Sequence, residues 1–318
     1  MMGLPMNPPE TRRRRSIRAL KTVPILPSLV TLGNVFFGFL AIAKAADAVM
    51  LSASSGMTIA SPEVIAKLQV ASLLVFLAMI FDATDGAVAR MTRQTSAFGA
   101  QLDSMADMVT FGVAPAFLAK VVIDFHTQGP NPVLSLQPKI IYAAAVIYVL
   151  CATMRLARFN VETPGASADD HQEFSGLPTP AAAAGIAAML TFFCFQTTGS
   201  TSSWLSFLVL PEIQVWLVKA LPIALVVLGL LMVSRVPYPH LVVTMLKRGH
   251  SFPFLASLVL LVAVVAMEWE VGLLILISVY VLLGIGLGLW RLLTTGRMDR
   301  RRPEPDLDGP PSQGEGLN

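Results

Sequence analysis

FDATDGAVARMTRQTSAFGAQLDSMADMVTFGVAPA, residues 81–116, places four aspartates, Asp82, Asp85, Asp103 and Asp107, inside otherwise apolar sequence. Spacings of three and four residues set Asp82 with Asp85, and Asp103 with Asp107, each pair on one helical face. Two antiparallel helices joined by a short loop then aim all four carboxylates at one point. An aspartate at mid-span costs about 2.5–3.5 kcal/mol on insertion scales and less near the interface, so four of them need a compensating partner. Arg90 and Arg93 are too few to balance them. Divalent cations are the natural partner, and a cluster of carboxylates without histidine or cysteine suits Mg²⁺ or Mn²⁺ rather than zinc.

The surrounding sequence makes these helices membrane spans. Of 318 residues, 54% are hydrophobic and only 14% charged, where a soluble domain carries roughly a quarter. The apolar residues fall in runs of about 17–25, the length that crosses a hydrocarbon core about 30 Å thick at 1.5 Å per residue. The pattern predicts an all-α, polytopic membrane bundle of about eight transmembrane helices, at 26–46, 65–88, 98–122, 138–156, 178–198, 214–234, 252–268 and 271–291. The chain accordingly divides into a basic N-terminal segment (1–22), a membrane core (23–250), two additional C-terminal spans (251–293) and a polar tail (294–318). Neither terminal segment has the apolar content to order itself.

An even number of spans puts both termini on one side. Arg12, Arg13, Arg14, Arg15, Arg18 and Lys21 flank one end and Arg291, Arg297, Arg300, Arg301 and Arg302 the other. Arg90, Arg93, Arg155, Arg158, Arg235, Lys247 and Arg248 fall in loops of the same side, which the positive-inside rule makes cytoplasmic. The expectation is an integral protein of a bacterial inner membrane with its aspartates facing the cytoplasm. No short apolar stretch with a small-residue cleavage site follows the N-terminal arginines, so the first span is expected in the mature protein. Cys151 and Cys194 lie in or beside apolar runs and read as packing residues. The sequence has no phosphate-binding P-loop, dinucleotide-binding glycine pattern or nucleic-acid module.

The pattern Asp82-x2-Asp85-Gly86-x2-Ala89-Arg90-x8-Gly99-x3-Asp103-x3-Asp107 resembles, at every fixed position, the motif of CDP-alcohol phosphatidyltransferases. The resemblance implies that Asp82, Asp85 and Asp103 bind one or two divalent metal ions. Asp107 would be both ligand and general base for the hydroxyl of an acceptor alcohol. That hydroxyl would attack the lipid-bearing phosphate of a CDP-activated lipid and expel CMP. Gly86, Ala89 and Arg90 would border the CDP moiety, and Gly99, facing Gly86 across the loop, leaves room for a bulky nucleotide. Thr31 and Asn34, polar residues in an apolar first span, would lie near the nucleotide. A homodimer in contact with membrane lipids is implied as well.

Several further stretches bear on the acceptor. TFGVAPA at 110–116, RLARFN at 155–160, FSGLPTPAAA from Phe174 and LPSLVTLGNVFFGFLAI from Leu26 together resemble the phosphatidylserine synthases of that family, as LMVSRVPYP from Leu231 does more weakly. The implied substrates are CDP-diacylglycerol and L-serine. A zwitterionic acceptor needs a cation for its carboxylate, which Arg155 or Arg158 can supply by bidentate pairing, and Asn160 can help orient it. Both arginines read equally well as the positive-inside flank of the fourth span. Choline, glycerol phosphate or inositol phosphate as acceptor, and a cation transporter with an aspartate-lined pathway, are the alternatives.

Overall fold

A computed structural model describes residues 25–92, 97–127, 137–162, 176–198, 210–234, 236, 238 and 268–295. The described residues form helices without strands: α1 (Ile25–Ser55), α2 (Pro62–Thr92), α3 (Ala97–Asp107), a π-helical segment (Met108–Val113), α4 (Ala114–Thr127), α5 (Pro138–Glu162), α6 (Thr179–Thr198), α7 (Pro211–Val233) and α8 (Trp269–Thr295). Among them, 7 stretches are long and apolar enough to cross a membrane, with α3, the π segment and α4 making one continuous span, Phe98–Thr127. The chain is a polytopic helical membrane bundle. Seven of the expected spans correspond to these helices, while the one expected at 252–268 lies outside the described residues except for Glu268. Residues 1–22 and 296–318 also lie outside them.

The first helix is longer than hydropathy suggests, running to Ser55 rather than to residue 46. Residues 47–55 include Asp47 and three serines, which lower hydropathy without breaking a helix. The chain turns only at Gly56, whose φ of 63° lies in the left-handed region. Pro62 then opens α2, a position where the missing N–H costs nothing.

The buried face of α1 is a stripe at helical spacing: Ser28, Thr31, Asn34, Ala41, Ala45 and Ala48. On its other side Leu29, Leu32, Phe36 and Phe39 are at least half exposed, the face a lipid-embedded helix presents to acyl chains. On α2 the matching stripe is Val64, Leu68, Ala71, Val75 and Ala78, and it continues at the same spacing into Asp82 and Asp85. The aspartates therefore occupy positions that the packing of α2 already turns inward.

α6 is the central post, with 72% of its span buried against 11% for α8. Ala182, Ala183, Ala187 and Ala188 are completely buried, and such small side chains let α2, α4, α7 and α8 approach it closely. At its start, Gly176 has a φ of 99° and donates its N–H to the Val236 carbonyl at 2.9 Å. A Cβ there would sit 2.5 Å from the Met232 carbonyl oxygen, so the turn that leads into α6 requires glycine.

Candidate metal and substrate centre

The aspartates meet at one end of the bundle, where α2 finishes and α3 begins. Carboxylate oxygens of Asp82, Asp103 and Asp107 lie within 4.8 Å of one another, and Asp82 and Asp107 are in hydrogen-bonding contact. Asp85, 7% exposed, is turned toward α1, where it accepts a hydrogen bond from the Thr31 hydroxyl. Asn34, one turn further along α1 and fully buried, donates Nδ2–H to Asp107 Oδ1 at 3.2 Å. Thr31 and Asn34, expected beside a nucleotide, are here the braces that fix two of the four carboxylates.

The π-helical segment begins directly after Asp107. A π turn carries an extra residue and leaves backbone groups in need of partners, and such segments recur at functional sites. Here α5 supplies one such partner, the Tyr148 hydroxyl, which donates to the Phe111 carbonyl at 3.1 Å, while the segment's own Thr110 hydroxyl donates outward to the Asn34 carbonyl of α1 at 3.2 Å. Thr110 rests on Gly38 of α1, so that α1 touches the π segment through Gly38 and Asp107 through Asn34.

Across the cluster from α1 stands the last part of α5. Arg155 is half-buried and its Nη1 donates to Thr179 Oγ1 at 2.5 Å, at the first residue of α6. Asn160 accepts a hydrogen bond from the Ser104 hydroxyl at 2.9 Å, immediately beside Asp103. Arg158 is half-buried on the same helix. Gly86 is half-buried in α2 next to Asp85 and Gly99 half-buried in α3. Ala89 and Arg90 belong to the last turn and a half of α2, but their side chains lie outside what the structure describes. Ser104, Thr110, Thr179 and Gly38 are not individually legible in the sequence: Ser104 stands next to Asp103, and the other three lie in the stretches TFGVAPA, FSGLPTPAAA and LPSLVTLGNVFFGFLAI without anything that marks them within those runs.

Two other acidic residues of the bundle have cations at hand: Asp47 pairs with Lys44 at 3.4 Å and with Lys67 at 3.9 Å, and Asp124 pairs with Lys120. Among the described side chains no lysine or arginine forms an ion pair with Asp82, Asp85, Asp103 or Asp107, and Arg155 is the cation whose charge reaches Asp107. Mutually close carboxylates that outnumber the cations beside them are a donor set that fits a hard divalent cation.

A membrane bundle with an oxygen-only acidic centre at one end offers a donor set for a hard cation. The profile described as CDP-alcohol phosphatidyltransferase matches residues 24–216, and the chain belongs to that family. It is similar to a CDP-diacylglycerol–serine O-phosphatidyltransferase of Helicobacter pylori, 30% identical over 219 residues that cover 68% of this chain and 72% of the relative. A protein of the same name from Methanocaldococcus jannaschii is 35% identical over 166 residues, 52% of this chain and 62% of the relative. An archaetidylserine synthase of Methanothermobacter thermautotrophicus is 33% identical over 175 residues, 54% and 65% of the two chains.

Proposed function

We propose that the protein transfers the phosphatidyl group of CDP-diacylglycerol to the hydroxyl of L-serine, giving phosphatidylserine and CMP, at the cytoplasmic face of a bacterial inner membrane. The observation that carries this reading is the placement of Asp107. It touches Asp82 and Asn34 and has Arg155 as a cationic neighbour on the acceptor side. A base, an acidic cluster and a cation suited to a carboxylate therefore share one end of the bundle. The serine-specific names of the similar proteins support the choice of acceptor.

In this reading Asp107 accepts the proton of the serine hydroxyl as that oxygen bonds to the lipid-bearing phosphorus. The bond from phosphorus to the CMP oxygen breaks, and CMP leaves with the electron pair. Asp82, Asp85, Asp103 and Asp107 would hold one or two Mg²⁺ or Mn²⁺ ions, which when bound neutralise charge on the phosphate oxygens. Thr31 and Asn34 keep Asp85 and Asp107 aimed. Gly86, Ala89, Arg90 and Gly99 border the CDP moiety, and Arg155, Arg158 and Asn160 receive the amino acid. The working unit in this reading is a homodimer.

The test measures CMP released from CDP-diacylglycerol in detergent micelles with each candidate alcohol. Release is expected with L-serine and not with choline, glycerol phosphate or inositol phosphate. Turnover with one of those and none with serine would transfer the same chemistry to a different acceptor.

A further inference from the structure

Pro115 interrupts the hydrogen-bond ladder of the span that carries Asp103 and Asp107. It is the second residue of α4, directly behind the π segment and well inside the continuous span Phe98–Thr127. A proline has no N–H to give the carbonyl four residues back, and its ring crowds that carbonyl. Here that carbonyl belongs to Phe111, within the π segment. The backbone responds by widening: the Ala114 N–H donates to the Val109 carbonyl, five residues back. The Phe111 carbonyl, deprived of its helical donor, receives the Tyr148 hydroxyl at 3.1 Å instead.

Tyr148 is held firmly in this place. It is completely buried, and α7 presses on its backbone at Gly229, where a Cβ would come 3.2 Å from the Tyr148 Cα. One turn further along α5, Ala152 meets Gly112 of the π segment, where a Cβ would come 3.5 Å from the Ala152 Cβ. A phenol oxygen is costly to bury among apolar side chains unless it is paired, and the carbonyl left open by Pro115 is its partner.

At about 3.6 residues per turn, one extra residue turns everything before it by about 100° relative to everything after it. Asp103 and Asp107 stand before the π segment, and the buried residues Leu118, Ala119, Val122 and Ile123 of α4 stand after it. Were the segment a regular α-helix, α4 would keep its packing only with both carboxylates swung away from Asp82, whose oxygens now lie within 4.8 Å of theirs.

We infer that Tyr148 is a positioning residue for Asp107: its hydroxyl replaces the N–H that Pro115 lacks, holds the π segment in its widened form, and so keeps the carboxylate turned toward Asp82 and Asn34. The inference rests on the reading of Asp107 as general base and extends it to α5, the helix whose later turns carry Arg155 and Asn160. One helix then sets the direction of the base and bears the groups that receive the acceptor.

Full-length protein in detergent micelles tests this with Tyr148→Phe, the double variant Tyr148→Phe/Pro115→Ala, and Asp107→Asn. CMP release from CDP-diacylglycerol and serine is read beside thermal unfolding. Tyr148→Phe is expected to lower Tm and to lower kcat by about ten- to a hundredfold, the scale of a small misplacement of a reacting group, with both KM values within about twofold. Alanine at position 115 returns an N–H to the Phe111 carbonyl and repairs the ladder as a regular α-helix. The double variant should therefore recover Tm while kcat stays low, because the repaired helix no longer turns Asp107 to the cluster. Recovery of kcat together with Tm would mean that the hydroxyl serves stability alone, and a Tm that stays low would mean that it does not replace the proline's N–H. Either result overturns the inference. If Asp107→Asn is inactive and Tyr148→Phe keeps the wild-type kcat, the base stands and the positioning role falls. If Asp107→Asn releases CMP at the wild-type rate, the base reading falls and takes the inference with it.

Discussion

Replacing Asp107 by asparagine is expected to cut serine-dependent CMP release by about 10²–10⁴-fold, the range general base catalysis supplies. Asparagine keeps the shape of the side chain, and its amide oxygen can still accept from Asn34, which donates to Oδ1 in the native site. What the substitution removes is the negative charge and the capacity to take a proton. The loss should therefore appear in kcat, with helical content and Tm near those of the wild type. Asp107 is also the point where the π segment begins, so an effect confined to stability would point to a role in that distortion instead. The measurement is CMP release under saturating CDP-diacylglycerol and serine, paired with thermal unfolding in the same detergent. Turnover close to wild type would remove Asp107 from the chemistry.

Gly38→Val is expected to have the largest effect of any change remote from the carboxylates. A Cβ at residue 38 would fall 2.2 Å from Thr110 Oγ1 and 2.9 Å from the Thr110 Cα. Rotating a side chain does not relieve contact with backbone, so α1 and the π segment must move apart. Overpacking of this kind costs typically 1–3 kcal/mol, and the branched valine side chain sits at the upper end of that range. Function should fail with it, because Asn34 lies one turn away on the same face of α1 and reaches Asp107 only while the two elements touch. A lowered Tm together with lost CMP release is the expected pair of results. Native stability and native turnover in Gly38→Val would show that the α1 contact does not position the centre.

The two kinds of information in the sequence differed in reach. Spans were legible because lipid imposes one demand along about 20 consecutive residues, and hydropathy reports it directly. The aspartates were legible because charge inside such a span is costly and their spacing follows the helical repeat. The far end of α1 was not, since Asp47 and Ser52, Ser54 and Ser55 lower hydropathy in residues that remain helical until Gly56. Nor was the π segment. Nothing in MVTFGV marks a change of helical pitch, and the hydrogen bonds that tie it to its neighbours, Tyr148 to Phe111 and Thr110 to Asn34, join elements far apart in sequence.

Thr31 and Asn34 show the same boundary from another side. Polar residues in an apolar span announced that they had partners, but pairing with Asp85 and Asp107 depends on the register of α1 against antiparallel α2 and parallel α3. The packing of α8 is hidden for a related reason: Tyr238 and Tyr280 are ordinary residues in sequence, and only the fold brings their ring centroids to 5.7 Å and seats Tyr238 against Gly284.

The most direct test of the central claim, that clustered carboxylates at the end of α2 and α3 serve to hold divalent ions for phosphatidyl transfer, is CMP release as stripped enzyme is titrated with metal. Exhaustively chelated protein should release no CMP from CDP-diacylglycerol and serine, and addition of Mg²⁺ or Mn²⁺ should restore turnover. Full turnover in the chelated enzyme would contradict the account.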